Sequence, residues 1–357
     1  MENGDRMKIL FGIQATGNGH ISRSREVVHR LRSRGHEVRV LFSGRDPSGL
    51  KEIEVFKPFD VRRGLTFQTS RGQMQYLKTV FTLNLPRFYR DIYDFDASGV
   101  DLVITDYEPL SARVARRFRI PSIGIGHQYA FYYDIPIAGA NPFTRRLLQA
   151  FAPADHPVGL HWHHFGQPIL PPIIPGHLDG SRPVKADKVL VYLPFDHPDE
   201  VQMLLTLFTT HRFFIYGIDK LNSPVDKGHL HIRPYSRSGF LQDLEDCNGV
   251  ICGAGFELAA EALQLGKKLL VKPLKGQFEQ LSNALALENL QLAMVMQHLD
   301  RKAVQKWLEL PPNSPAGYPD TAQLIAVWIE NGHWQDIGSL SKEAWAQTGR
   351  VPRWHGR

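Results

Sequence analysis

Two stretches of this 357-residue chain bring together residue types that can do chemistry. The first is Gly17-Asn18-Gly19-His20, placed directly after the apolar run of residues 7 to 13. An imidazole titrates near neutral pH, so His20 can take the proton of an attacking hydroxyl. It can also simply cap the helix that follows. Asp106 ends a second apolar run, residues 100 to 105. A carboxylate there can orient His20 and stabilise its cation. The plainer use of Asp106 is a helix cap, and Glu108 stands two residues on as a competitor. His127 ends a third run, residues 121 to 125 and the glycine after them. It suits a contact with a bound substrate about as well as a structural turn.

The second stretch covers residues 247 to 284. It reads as a strand, the tight turn Gly253-Ala254-Gly255, a helix opening at Phe256, another strand closed by Pro273, and a polar loop. Small residues let a ligand approach the backbone closely. The helix N-terminus behind them offers unpaired N–H groups and a positive dipole end, which suits a diphosphate. Glu261 on that helix can accept both hydroxyls of a ribose, while Glu257 reads as a solvated face. Leu258, Ala262 and Leu265 make the inward face, and Gly266 ends the helix in a left-handed position. Glu279 and Gln280, in the loop after the next strand, can read the hydroxyls of a sugar.

These residues need a scaffold that collects strand ends. Residues 7 to 13, a helix at 21 to 34 and a strand at 36 to 43 open the chain as β-α-β. The turn lacks the third glycine of a dinucleotide fingerprint, and no acid ends the second strand to hold a ribose. The nucleotide is therefore assigned to the second stretch. Short strands are expected at 55 to 58 and 65 to 69, and mostly helix over 72 to 98. Six prolines between 157 and 187 mark a change of character. The expected organisation is an N-terminal domain of residues 1–165, a linker at 166–187, a second domain at 188–335 and a tail at 336–357. Both domains are α/β with parallel sheets, and ligands of such sheets bind at the carboxyl ends of the strands.

Gly253, Gly255, Glu261, Gly266, Pro273, Glu279, Gln280, Asn283 and Ala284, in this register, resemble the donor-site signature of GT-B nucleotide-sugar glycosyltransferases. The closest likeness is to the group containing the peptidoglycan N-acetylglucosaminyltransferase and the plant galactolipid synthases. Gly17-Asn18-Gly19-His20 resembles that group's glycine loop, with Ala15 and Asn18 departing from its fuller glycine run. The resemblance implies two Rossmann-like domains facing each other across a cleft, with the tail crossing back to the first domain. It implies an inverting, metal-independent transfer of a hexose or N-acetylhexosamine from a UDP-sugar, with no cofactor. His20 and Asp106 would be catalytic. Gly253, Ala254, Gly255, Phe256, Glu261, Glu279 and Gln280 would bind the donor; Gly17, Asn18, Gly19 and His127 the acceptor, whether small molecule, glycan or lipid. A sugar-nucleotide 2-epimerase on the same fold and a catalytically silent binding protein are the alternatives.

Composition sets the outer limits. Lys plus Arg number 42 against 36 Asp plus Glu, a modest basic excess that suits anionic nucleotides or anionic lipid surfaces. It carries no nucleic-acid signature. The length fits two α/β domains better than one core. The two cysteines, Cys247 and Cys252, share one expected strand and make no disulfide framework, so a reducing cytoplasm is expected. The opening MENGDRMKILFG carries no secretory pattern, and no run reaches about 18 apolar residues. The basic amphipathic helices at 21 to 34 and 142 to 152 are candidates for peripheral contact with an anionic membrane.

Overall fold

The structure is a computed structural model that describes residues 6–45, 53–65, 69–70, 73–74, 84–139, 142–178, 180–218 and 221–354. Parts of the expectations for 65 to 69 and 72 to 98 lie outside the described residues. In chain order the first half contains β1 (Lys8–Gln14), α1 (Asn18–Ser33), β2 (Glu37–Ser43), β3 (Phe59–Arg62), β4 (Thr69–Ser70), β5 (Gln73–Met74), α2 (Leu85–Tyr93), β6 (Leu102–Asp106), α3 (Pro109–Phe118), β7 (Ser122–Gly126), α4 (His127–Ala130), α5 (Pro142–Phe151) and β8 (His156–Gly159). The second half contains β9 (Lys185–Tyr192), α6 (Pro198–Leu205), β10 (Arg212–Tyr216), β11 (Val225–Lys227), β12 (Leu230–Ile232), α7 (Arg237–Asp246), β13 (Cys247–Gly253), α8 (Phe256–Gln264), β14 (Lys268–Lys272), α9 (Phe278–Asn289), β15 (Met294–Val295), α10 (Arg301–Leu308), α11 (Thr321–Glu330) and α12 (Ile337–Ala346).

The first sheet has six parallel strands in the order β3-β2-β1-β6-β7-β8. The second has seven, β11-β12-β10-β9-β13-β14-β15, parallel except where the short β11 runs against β12. In each sheet the strand order reverses once near the middle, between β1 and β6 and between β9 and β13. Loops diverge to opposite faces at such a point and leave a crevice at the carboxyl edge. The glycine turn after β1 and Asp106 at the end of β6 flank the first crevice. The turn after β13 stands at the second.

Central strands read as near-continuous apolar runs because both faces are covered. All of β6 and all of β1 except Lys8 are buried. Apolar packing continues from one sheet to the other: Trp162, Ile169 and Leu170 of the first half belong to one buried cluster with Phe256, Ala259 and Leu263 of the second. Residues 166 to 178 are thus more than a tether, since Ile169, Leu170, Ile173 and Leu178 are buried. The second sheet starts at Lys185, inside the stretch expected to be linker.

Several expectations need correction. Residues 54–56 form a 3-10 turn where a strand was expected at 55 to 58, and the strand follows at Phe59–Arg62. Helix α1 starts at Asn18 with Gly17 as its cap, so Asn18, Gly19 and His20 form its first turn rather than a loop. The return to the first domain begins before residue 336. Helix α11 already packs along α1, with Arg30 paired to Asp320 at 2.5 Å and Arg34 to Glu330. Helix α12 anchors through Ser341 Oγ and Trp345 Nε1, which donate to the Ile169 carbonyl at 2.8 and 2.6 Å. Four of the five arginines between residues 21 and 34 are engaged within the protein: Arg23 is buried, Arg30 and Arg34 pair with Asp320 and Glu330, and Arg32 donates to the Val38, Val55 and Phe56 carbonyls. Among the described residues, no helix is long and apolar enough to cross a membrane.

Candidate active site

At the first crevice, His20 Nδ1 lies 2.9 Å from Asp106 Oδ1. The first turn of α1 lifts the imidazole over the end of β6. Asp106 is fixed by more than His20. Ser24 Oγ donates to its Oδ2 at 2.7 Å, and Arg23 Nε reaches both carboxylate oxygens at 3.0 and 2.9 Å. Burial pushes the Asp106 carboxyl up, but the charges of Arg23 and His20 and their hydrogen bonds override it and hold it below the ordinary range. Asp106 is therefore an anion under its histidine. Nδ1–H donating to that anion leaves Nε2 as the free base. The His20 side chain retains 14% exposure, while that of Asp106 has 2%, so only the histidine is open to a substrate. Glu108 is not a rival for Asp106. Its carboxylate caps α3, accepting from the Leu110 and Ser111 amides at 2.8 and 2.6 Å.

At the second crevice, β13 ends in Gly253, and Gly255 caps α8 with no side chain filling the N-terminus. A Cβ at Gly255 would meet nothing within 4 Å. The N-terminus of α8 thus carries no side-chain cap, a start that suits an anionic phosphate. The side chain of Phe256 turns toward the first domain. It is 3% exposed and stacks on His127, rings 4.1 Å apart and 5° from parallel, beside Trp162. Ala254 is fully buried, and its carbonyl accepts from Asn283 Nδ2 at 3.0 Å. Glu279 and Gln280 sit in the first turn of α9, where a loop was expected. Gln280 Oε1 accepts from the Leu274 amide at 2.9 Å and so shapes the turn after β14.

The two halves meet through named side chains. Arg23 Nη1 donates to Glu257 Oε1 at 2.6 Å, Ser22 Oγ to Glu261 Oε1 at 3.3 Å, and Gln128 Nε2 to Glu279 Oε2 at 3.1 Å. Burial drives the Glu257 carboxyl up to about 7, against the opposing pull of Arg23. Burial, with the charge of Glu257 beside it, drives Glu261 up to about 8. The expectation that Glu257 is a solvated face is wrong: it is 8% exposed, because the first domain covers the side of α8 that its own sheet does not. His127 is also corrected as an acceptor contact. It is fully buried, with Nδ1 on the Leu160 carbonyl at 2.9 Å and Nε2 on Asn283 Oδ1 at 2.5 Å, so neither nitrogen is left for a substrate. Burial lowers its pKa. The chain's Asp-x-Asp triplet, Asp94-Phe95-Asp96, lies before β6, at the edge of the first sheet opposite His20. The Asp96 side chain there accepts from the Ser98 amide at 3.0 Å.

Residues 7–312 match the family model described as glycosyl transferase family 1, most of the chain. The chain belongs to this family. No curated protein sequence matches it. Among solved structures, the glycotransferase of kitacinnamycin is similar at a TM-score of 0.61 and 12% identity, over 96% of this chain and 98% of that one. UGT89C1 of Arabidopsis thaliana, solved with UDP-L-rhamnose, is similar at 0.60 and 15%, over 96% and 98%. SnogD of Streptomyces nogalater is similar at 0.54 and 14%, over 96% and 100%. These likenesses show the fold, which is GT-B: two parallel-sheet α/β domains.

In this glycosyltransferase the structure brings His20 to Asp106, and Gly19 to Glu257 of α8. It turns Phe256 and His127 into the wall between the domains. The residues that sequence reasoning passed over are Arg23 and Gln128, and Asn283 entered only as part of the motif, without a contact of its own. Arg23 carried a usable signal, since it stands three residues after His20 on a helix and so shares its face. Gln128 carried none, and the motif did not show what Asn283 touches, because their partners, Glu279 and His127, are 151 and 156 residues away.

Proposed function

We propose that this glycosyltransferase is an inverting, metal-independent enzyme that moves a hexose or N-acetylhexosamine from a UDP-sugar to a hydroxyl acceptor. The observation that carries the reading is the hydrogen-bonded His20–Asp106 pair at one crevice with the open, uncapped turn at Gly255 in the facing domain. His20 Nε2 takes the acceptor proton while the acceptor oxygen bonds to the anomeric carbon. The bond from that carbon to the diphosphate oxygen breaks on the far side, which inverts the centre. Asp106 holds the imidazolium that forms, without taking the proton. The departing charge falls on UDP and meets the N–H groups of α8, a stabilisation that works without a cation. Glu261 binds the ribose in place of Ser22, and Glu279 the sugar in place of Gln128, because both contacts are ones a ligand hydroxyl can replace.

The register of Gly253 to Ala284 also supports kinship with the group that glycosylates lipid acceptors. A membrane contact in this protein would use α5, whose Arg145, Arg146 and Leu147 are exposed. The reading is tested by titrating UDP into wild type and Glu261→Ala, and by following UDP release from UDP-sugars with and without hydroxyl acceptors. Wild type should bind UDP and the variant at least about tenfold more weakly, roughly the loss of one charge-assisted hydrogen bond. Unchanged binding would sink the donor site. Sugar conversion with no acceptor and no UDP release would indicate an epimerase.

A further inference from the structure

We propose, on the reading of the turn at Gly253 to Gly255 as the diphosphate site, that Lys272 binds the diphosphate of the nucleotide donor and takes up the charge that develops on it. Asp196 is the anion that keeps the ammonium in place until the donor arrives. Lys272 is the last residue of β14, after the buried Leu269, Leu270 and Val271. Its Nζ pairs with Asp196 Oδ1 at 2.7 Å. Asp196 lies in the loop that joins β9 to α6.

The strand order fixes where this pair stands. β13 lies between β9 and β14, so the two residues belong to strands that are not neighbours. Adjacent strands are about 4.8 Å apart, so a contact from β14 to the loop after β9 has to pass the carboxyl end of β13. That end is Gly253, the register partner of Lys272. The ammonium is thereby carried past the strand end from which the glycine turn leaves, at the crevice between β9 and β13.

Burial sets the pair apart from a surface contact. The Lys272 and Asp196 side chains keep 13 and 14% exposure, against 63 and 74% for the surface pair of Lys57 and Glu54. Covering a charge is costly unless its remaining hydrogen-bonding capacity is met. An ammonium has three N–H groups. Among the described residues, Asp196 is the only partner of this one. Donor capacity is thus left over on a covered cation near a helix N-terminus that no side chain caps. Both features favour the same kind of ligand, an anion with several oxygens. A cation there also stabilises the leaving charge beyond what backbone N–H groups supply. The flexible lysine stem lets the ammonium turn from Asp196 to the ligand.

The test is isothermal titration of the full-length protein with UDP, uridine and inorganic diphosphate. Uridine carries no phosphate, and inorganic diphosphate carries no nucleoside. Lys272→Met keeps an apolar stem and removes the charge. It is expected to bind UDP at least about tenfold more weakly, the scale of one charge-assisted hydrogen bond, with uridine unchanged and inorganic diphosphate weakened by a similar factor. Lys272→Arg should recover most of the loss. Asp196→Asn keeps the lysine and removes the anion that competes for it, so UDP should bind more tightly. This second variant keeps the test intact should the methionine variant fail to fold. UDP affinity unchanged in both Lys272→Met and Asp196→Asn would overturn the proposal. So would an equal fall for UDP and uridine, the result of a merely structural ion pair. Failure of the donor reading has a separate signature, UDP binding unchanged in Glu261→Ala, and leaves the effect of Lys272→Met on inorganic diphosphate standing.

Discussion

The molecule carries two glycine turns, each leading into a helix from a strand beside the point where its sheet's order reverses. They do opposite work. At Gly19 an added Cβ would strike Glu257 of the other domain at 2.6 Å; at Gly255 it would meet nothing within 4 Å. The first glycine makes room for protein, the second keeps room for a ligand. The helices behind them differ in the same sense. The start of α1 carries His20 and, one turn on, Arg23, groups already matched to carboxylates. The first turn of α8 offers bare N–H groups and the apolar Phe256. Similar sequence signals therefore mark a domain contact in one half and an open turn in the other, and the neighbouring chain decides which.

The comparison can be broken at several points. The largest expected effect is on turnover: His20→Ala should lower it by about 10²- to 10⁴-fold, the usual worth of a general base, with UDP affinity unchanged. Activity near that of wild type would remove the first crevice from the chemistry. Next is Arg23→Ala, which leaves Asp106 and Glu257 as buried carboxylates without their cation. Urea denaturation should show a loss of about 3–5 kcal/mol; a neutral result would mean that the two halves are not held by this contact.

The glycines themselves sharpen the contrast. Gly19→Ala should cost about 1–3 kcal/mol of stability, as an overpacked contact does. Gly255→Ala, at φ −73° in open space, should change stability by under about 0.5 kcal/mol while weakening UDP. Equal thermal shifts for both would erase the distinction. The smallest effect is in pH dependence. The Glu261 carboxyl, ordinarily at 4.5, is raised to about 8 by burial and by the charge of Glu257. The folded protein therefore keeps a proton that the unfolded chain releases, and stability falls as pH rises from about 4.5 to about 8. Glu261→Gln should flatten that slope in thermal melts taken across the window; an unchanged slope would place Glu261 in water, not under α1.

Much of this was legible one element at a time. Apolar runs ending in Asp106 and Gly253 marked strands whose carboxyl ends carry chemistry, because a strand buried on both faces leaves no polar positions until it emerges. The turn at Gly253 to Gly255 was legible for the same reason. Faces were harder. On α8 the stripe Leu258, Ala262, Leu265 suggested one buried side, yet Leu258 and Leu265 are half-buried while Glu257, Ala259, Ala260 and Leu263 are covered. A helix held between its own sheet and a second domain has two buried sides, and periodicity assumes one.

Local pattern alone determined the two parallel-sheet halves, the glycine turns at their crevices, and His20 and Asp106 as groups able to share a proton. These follow from period, turn chemistry and residue type, all of which act over a few residues. Only the tertiary structure decided that Glu257 is a buried partner of Arg23, that His127 is buried between the two halves, and that α1 lies under α11. Each of those outcomes rests on a contact between residues more than 150 positions apart, where burial and charge pairing depend on how the two halves come together.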